Sequence, residues 1–155
     1  MKTNIDIIEV YTDGSFIKKK NKEIFCGYGI CFPDNELPNI SKKFVLEPLT
    51  SQRAELYAIF KAIKIIYKTF IFNKLIIYSD SEYSIKSVSI WINNWKKNNW
   101  KTTTGKEVLN QDLIKKIDGY LQKNEGKILF KHVKAHSNNK YNDIADGLAK
   151  AGGQL

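Results

Sequence analysis

Four acidic side chains stand where a merely solvated charge is not expected. Asp13 follows the apolar run that ends in Tyr11-Thr12, and Asp80 follows the apolar run at residues 74–79. Glu55 lies near the start of a helical stretch opened by Thr50-Ser51, and Asp146 sits on the last helical stretch. Plain structural readings exist: a turn residue for Asp13, a helix-entry acid for Asp80, a dipole partner for Glu55. Acids number only 16, however, and these four close different elements that one sheet can bring together. Gathered carboxylates repel and raise one another's pKa, so a cluster of them makes sense chiefly around cations. Hard oxygen donors suit Mg2+ or Mn2+, not zinc. His136 opens a polar stretch, His136-Ser137-Asn138-Asn139-Lys140, of mobile-loop type. An imidazole there could exchange a proton, although taken alone it reads first as an ordinary surface histidine. His132, inside an apolar strand pattern, reads as structural.

The elements that must position these groups follow from the hydrophobic pattern. Residues 5–12 (IDIIEVYT) are rich in β-branched and aromatic side chains and predict a strand, broken by Asp13-Gly14-Ser15. Lys18, Lys19, Lys20 and Lys22 fill a connection of hairpin type. Residues 24–32 and 40–47 predict two more strands, so the first three form an antiparallel meander. Thr50 or Ser51 can cap a helix running to about Phe70, with Leu56, Ile59, Phe60, Ile63, Ile66, Tyr67 and Phe70 as its apolar positions. A buried-type strand follows at 74–79, helices at 81–92 and 108–123, a fifth strand at 127–133, and a final helix at 140–151 that Gly152-Gly153 ends. The expected fold is α/β: a five-stranded mixed sheet, an antiparallel meander followed by parallel strands, flanked by helices in the order βββαβααβα.

With 155 residues and 43% hydrophobic side chains, the chain is the length of one domain and can bury a core without disulfides or a structural metal. No apolar run approaches a membrane span and no leader-like block opens the chain, which predicts an intracellular protein of cytoplasm or nucleus. Cys26 and Cys31 are five apart in a strand-like segment and should point to opposite faces, neither pairing nor chelating. His132 and His136 lie roughly a hundred residues from them, which excludes a zinc-finger arrangement. Lys and Arg total 25 against 16 acids, for a net charge of +9. That balance points to a polyanionic partner, nucleic acid ahead of an anionic membrane. Twenty-four of the 25 cations are Lys, a bias that an AT-rich coding sequence also produces. The distribution is more informative: five Lys and no acid fall between Lys86 and Lys106.

Tyr11-Thr12-Asp13-Gly14-Ser15, Thr50-Ser51-Gln52-Arg53-Ala54-Glu55, Tyr78-Ser79-Asp80-Ser81 and Asn142-Asp143-Ile144-Ala145-Asp146-Gly147-Leu148-Ala149 closely resemble the four signature blocks of type 1 ribonuclease H. Val133-Lys134-Ala135-His136 resembles the block that carries that family's catalytic histidine. The five blocks occur in order from about residue 8 to the C-terminus. The resemblance is to the catalytic domain, with no separate hybrid-binding domain before it. It implies a ribonuclease H-like fold over 1–155 and an endonuclease that hydrolyses the RNA strand of RNA–DNA hybrids, leaving 5′-phosphate and 3′-hydroxyl ends. It further implies that Asp13, Glu55, Asp80 and Asp146 hold two Mg2+ ions about 4 Å apart, with Mn2+ able to substitute. One ion would lower the pKa of the attacking water and the other would stabilise the leaving 3′ oxygen. Asp13 is the expected bridging ligand. Asp143 competes with Asp146 for the fourth place, and register with the motif favours Asp146. His136 takes the catalytic histidine's place.

The same resemblance extends to substrate contacts. Trp91 and Trp95 are four apart and share a helical face if the helix continues that far, although core packing explains such spacing equally well. Residues 91–107 resemble the family's basic protrusion, with Lys96 and Lys97 beside the tryptophans. Tyr83, Trp91 and Trp95 would line the groove for the DNA strand, and Thr50 and Asn110 would hold one DNA phosphate. Gly14, Ser15, Ser51 and Gln52 match positions near the hybrid, where the 2′-hydroxyl distinguishes RNA from DNA. Ser51 departs from the usual Asn, and Pro48 stands where some members carry a basic phosphate contact. The lysines at 18–22 read first as a solvated charge run. A monomer is the default assembly. Two other functions stay open: another two-metal nuclease or strand-transfer domain of this fold, and a catalytically silent hybrid-binding module.

Overall fold

The computed structural model describes residues 2–155. Strand β1 spans Thr3–Lys18, β2 spans Ile24–Cys31 and β3 spans Ile40–Lys43; helix α1 spans Ser51–Thr69 and β4 spans Phe70–Ser79. A helical run follows in three parts: α2 at Glu82–Lys86, a π turn at Ser87–Trp91, and α3 at Ile92–Lys97. Helix α4 spans Gln111–Lys123, β5 spans Ile128–His132 and α5 spans Lys140–Gly153. The sheet order is β3-β2-β1-β4-β5. Both β1–β2 and β2–β3 are antiparallel, whereas β1–β4 and β4–β5 are parallel. The expected mixed sheet and element order are therefore observed, the three helical parts before α4 acting as one.

Alternation along the strands sorts side chains between two cores. Ile8 and Val10 of β1, with Leu75 and Ile77 of β4, join the larger core, which Ile59, Ile63 and Ile66 of α1 and Leu113, Ile114 and Ile117 of α4 complete. Tyr11, Cys31 and Ala145 form a smaller core on the other face, beneath α5. Cys26 belongs to the first core and Cys31 to the second, on opposite faces, and both are free thiols. Among the described residues no helix is long and apolar enough to cross a membrane.

Several boundaries differ from expectation. Strand β1 does not break at Asp13-Gly14-Ser15, for these residues pair with Gly29, Tyr28 and Gly27 of β2 and the ladder runs on to Lys18. Gly14 serves close packing instead of a turn: a Cβ there would collide with the backbone of Ala54 and Glu55. Strand β3 ends at Lys43, after which the Phe44 N–H makes one more bond to Cys26 O (2.9 Å) before the chain leaves the sheet towards Pro48, which has no N–H to donate. Strand β4 begins at Phe70, where α1 stops, because Thr3–Ile5 supply it with a partner. Helix α4 begins three residues later than the pattern suggests. Val108 bonds back to Trp100 O, and Asn110 takes a left-handed conformation (φ 63°) before the first turn. Gly152 and Gly153 lie inside α5, where the missing Cβ of Gly152 admits the backbone of Lys42.

Candidate active site

Asp13 points from the middle of the sheet, and its ladder partner is Gly29. A side chain at Gly29 would strike Ala145 and Ala149, so its absence lets α5 settle onto the sheet and carry Asp146 towards Asp13. Helix α1 presses onto Gly14 from the other side and delivers Glu55. Its N-terminus is held by Thr50, whose Oγ1 accepts the Arg53 N–H at 3.1 Å. Asp80 is bracketed by two serines: the Ser79 hydroxyl accepts the Ser81 N–H (3.1 Å), and the Ser81 hydroxyl caps α2 at Ser84 (3.1 Å).

These elements bring Asp13, Glu55 and Asp80 together, with one ligand oxygen from each within 4.8 Å of the others. Asp13 is 3% exposed and Glu55 8%. The Gly14 N–H donates to Glu55 Oε1 (2.6 Å) and to Asp13 Oδ1 (3.0 Å), which fixes how the two carboxylates face each other. Burial, then the facing Glu55 charge, then Asp80 push the Asp13 carboxyl far above the ordinary range. Burial also raises Glu55, partly offset by its hydrogen bond with Asp13. Glu55 Oε2 is buried and has no hydrogen-bond partner. An all-oxygen set of mutually repelling carboxylates with an orphaned lone pair matches the donor chemistry of a hard divalent cation. Asp146 stands one step outside this trio: it adds to the upward push on Asp13 and pairs with Lys150 (3.0 Å) one turn along α5.

One contributor escapes sequence reasoning as a site residue. Asn142, 2% exposed, donates from Nδ2 to Asp80 Oδ2 (3.2 Å), while its Oδ1 is buried and unpartnered. The signal that could have found it is its place in the Asn142–Ala149 block, four residues before Asp146 and thus on the same helix face. His136 stands exposed between β5 and α5 with φ 54°, in a loop where Asn138 also has positive φ (64°). It does not join the carboxylate cluster. His132 lies nearer, its Nε2 3.2 Å from Asp80 O.

The helical run forms the aromatic face. Eight residues separate Tyr83 from Trp91, which overshoots two α-turns; the π turn absorbs the extra residue and restores the alignment. Tyr83–Trp91 and Trp91–Trp95 ring centroids are each 6.0 Å apart, and Trp95–Trp100 are 6.4 Å apart. Trp91 and Trp95, with Asn94, Asn98, Lys101, Thr102 and Thr103, line an open groove of about 570 Å³. Trp95 and Trp100 also pack on the larger core, so the groove and core readings both apply. Lys97 is exposed, whereas the Lys96 ammonium is engaged by Asp118 of α4 at 2.6 Å. Ser51 and Gln52 are exposed on the first turn of α1, and Ser15 is buried in β1. Asn110 donates from Nδ2 to the Tyr83 hydroxyl (3.0 Å), which links the start of α4 to the aromatic face.

A ribonuclease HI of Pasteurella multocida is 37% identical to this chain over 149 residues, covering 95% of the chain and 90% of the relative. A ribonuclease H of Schizosaccharomyces pombe is 37% identical over 143 residues, 92% of the chain, although the chain spans only about half of that relative's length (52%). Among solved structures, the RNase H domain of prototype foamy virus superposes with a TM-score of 0.78 at 28% identity, covering 95% of this chain and 94% of that one. A foamy viral protease-reverse transcriptase solved in complex with an RNA/DNA hybrid gives the same TM-score at 25% identity, matching 94% of this chain and 20% of that one. The family model for RNase H matches residues 6–154. With Asp13, Glu55 and Asp80 brought together in this fold, the chain belongs to the type 1 RNase H family.

Proposed function

We propose that this chain is an endonuclease that hydrolyses the RNA strand of RNA–DNA hybrids and leaves 5′-phosphate and 3′-hydroxyl ends. The observation that carries this reading is the carboxylate trio, two of its members buried, whose ligand oxygens lie within 4.8 Å of one another beside an unpartnered Glu55 Oε2. Such a trio is costly without cations, and in a chain of net charge +9 it has no evident role other than to bind them. Asp13, Glu55 and Asp80, completed by Asp146 once it leaves Lys150, would hold two Mg2+ ions, or Mn2+ in their place. When bound, these supply charge neutralisation at phosphorus and a more acidic water.

The chain's own residues do the rest. Gly14 holds the Asp13 and Glu55 carboxylates in fixed mutual orientation through its N–H. Asn142 steadies Asp80. His136, on its exposed loop, would exchange a proton with solvent and with the cleaved end. The tryptophan groove offers stacking faces and lysine charge to the DNA strand. Thr50 and Asn110 offer donors to one of its phosphates, and Ser51 and Gln52 face the minor groove, where the 2′-hydroxyl marks the strand to be cut. Residues 91–107 act as the basic protrusion of a single catalytic domain that works as a monomer inside the cell.

A panel of end-labelled substrates tests the substrate class. Cleavage confined to the RNA strand of the hybrid, with double-stranded RNA, double-stranded DNA and single-stranded RNA left intact, is the expected result. Cutting of double-stranded DNA would mark a different two-metal nuclease, and tight hybrid binding without cutting would mark a silent binding module.

A further inference from the structure

Of 25 basic residues only one is arginine, and it is the one that is buried: Arg53, 4% exposed, in the first turn of α1. A chain that uses Lys at every other basic position keeps the planar guanidinium here, where both of its terminal nitrogens are engaged. Nη1 and Nη2 donate to the two carboxylate oxygens of Asp112, each at 2.9 Å. Nη1 also reaches Asn110 Oδ1 and Nη2 reaches Glu47 O, each at 3.4 Å. One side chain thereby ties together the segment before α1, the first turn of α1 and the start of α4. An ammonium could not span these partners.

The consequence falls on Asn110. Its backbone is left-handed and its side chain makes no cap for α4, so nothing local fixes the amide. Arg53 takes the oxygen end, while the Tyr83 hydroxyl takes one amide hydrogen. The second hydrogen of Nδ2 is left over in a fixed direction. Thr50 stands beside it: its oxygen accepts the backbone N–H of residue 53, a cap that does not depend on the guanidinium, which leaves the hydroxyl proton free to donate outward. The Arg53 charge is neutralised by Asp112, so the guanidinium is not itself a free phosphate ligand.

We propose that Arg53, locked by Asp112, is a positioning residue that aims the Asn110 amide at a single DNA phosphate, beside the Thr50 hydroxyl. It also ties that grip to Glu55, two residues along the same helix. This rests on the hybrid-cleaving reading above. The predicted signature is a rise in KM with kcat little changed, because a remote grip on the DNA strand is made in ground and transition states alike.

The test crosses protein and substrate changes. Hybrids carrying one neutral methylphosphonate, moved along the DNA strand, are cleaved by wild type, Arg53→Lys and Asp112→Asn at a temperature well below each protein's melting point. For wild type, one linkage should raise KM about tenfold, the size of one charge-assisted hydrogen bond. Arg53→Lys should raise KM about tenfold on the unmodified hybrid, with kcat within about threefold. The methylphosphonate should then add less than about twofold, because the two changes remove one interaction. Asp112 is largely exposed, and Asp112→Asn keeps a hydrogen bond to Arg53, so it should fold and show the same pattern at smaller size even if Arg53→Lys unfolds. A full methylphosphonate penalty in the variants, or a fall in kcat at unchanged KM, would overturn the positioning role. Wild type that cuts the hybrid but shows no sensitive linkage would do so as well. Wild type that leaves the unmodified hybrid uncut would instead sink the functional reading itself.

Discussion

Replacing Asp13 with Asn should abolish activity and yet make the metal-free protein more stable. Asp13 is 3% exposed and faces Glu55, Asp80 and Asp146, which together with burial raise its pKa. An unfolded Asp titrates near 3.9, so above that pH the unfolded state binds fewer protons than the folded one. The sign follows: the stability associated with this carboxyl is fully present below about pH 3.9 and is lost as pH rises towards the folded-state value. At pH 7.5, keeping the group protonated against its unfolded pKa costs at most about 5 kcal/mol, at 1.36 kcal/mol per unit. Water entry and relaxation around the site reduce this to about 1–3 kcal/mol. Asn retains the shape, removes the charge and carries no such cost. For a chain of this length, the variant's Tm should exceed wild type by roughly 3–10 °C in EDTA at pH 7.5. The gap should narrow at pH 5, and Mg2+ should raise the wild-type Tm but not that of the variant. Circular dichroism melts at two pH values, with EDTA or Mg2+, read all of this. A variant that melts below wild type in EDTA, or a gap that does not change with pH, would refute the claim that repulsion among buried carboxylates dominates the empty site.

Other expectations follow from single contacts. Gly14→Ala should destabilise by more than about 2 kcal/mol and abolish cleavage, since a methyl group there meets the Ala54–Glu55 backbone; urea titration would read it. Trp95→Ala should raise KM for the hybrid about 5- to 100-fold through lost stacking, measured by steady-state kinetics. Lys97→Ala should lower the salt dependence of hybrid binding by about one unit of slope, whereas Lys96→Ala should mainly cost stability, about 1 kcal/mol, because its ammonium is engaged by Asp118. Thr50→Val should cost about 1 kcal/mol of stability as the cap on α1 is lost, and should raise KM.

The legible parts of this protein are those in which local chemistry and tertiary role coincide. The apolar runs before Asp13 and Asp80 predict strands, and Thr50 predicts a helix start, because period and capping are local signals. Asp13-Gly14-Ser15 misleads for the opposite reason. In isolation it is turn chemistry, and only the approach of α1 explains a glycine in mid-strand. The π turn at Ser87–Trp91 has no composition of its own; its trace is the eight-residue spacing of Tyr83 and Trp91 that an α-helix would misalign. The Arg53–Asp112 pair is 59 residues apart in sequence, beyond any spacing rule, and the diversion of Lys96 to Asp118 depends on how α4 packs. Asn142 hides because its partner, Asp80, lies 62 residues away in sequence, while Asn139 caps the helix.

The central claim is that the gathered carboxylates cut the RNA strand of a hybrid with divalent ions as obligatory partners. The most direct test is a single time course on a hybrid labelled on both strands, with wild type in Mg2+, wild type in EDTA, and Asp13→Asn in Mg2+. The account predicts 5′-phosphate RNA fragments and an intact DNA strand in the first reaction, and a loss of at least about a thousandfold in the other two, as removal of several kcal/mol of charge stabilisation requires. Undiminished cleavage in EDTA, or by Asp13→Asn, would contradict it.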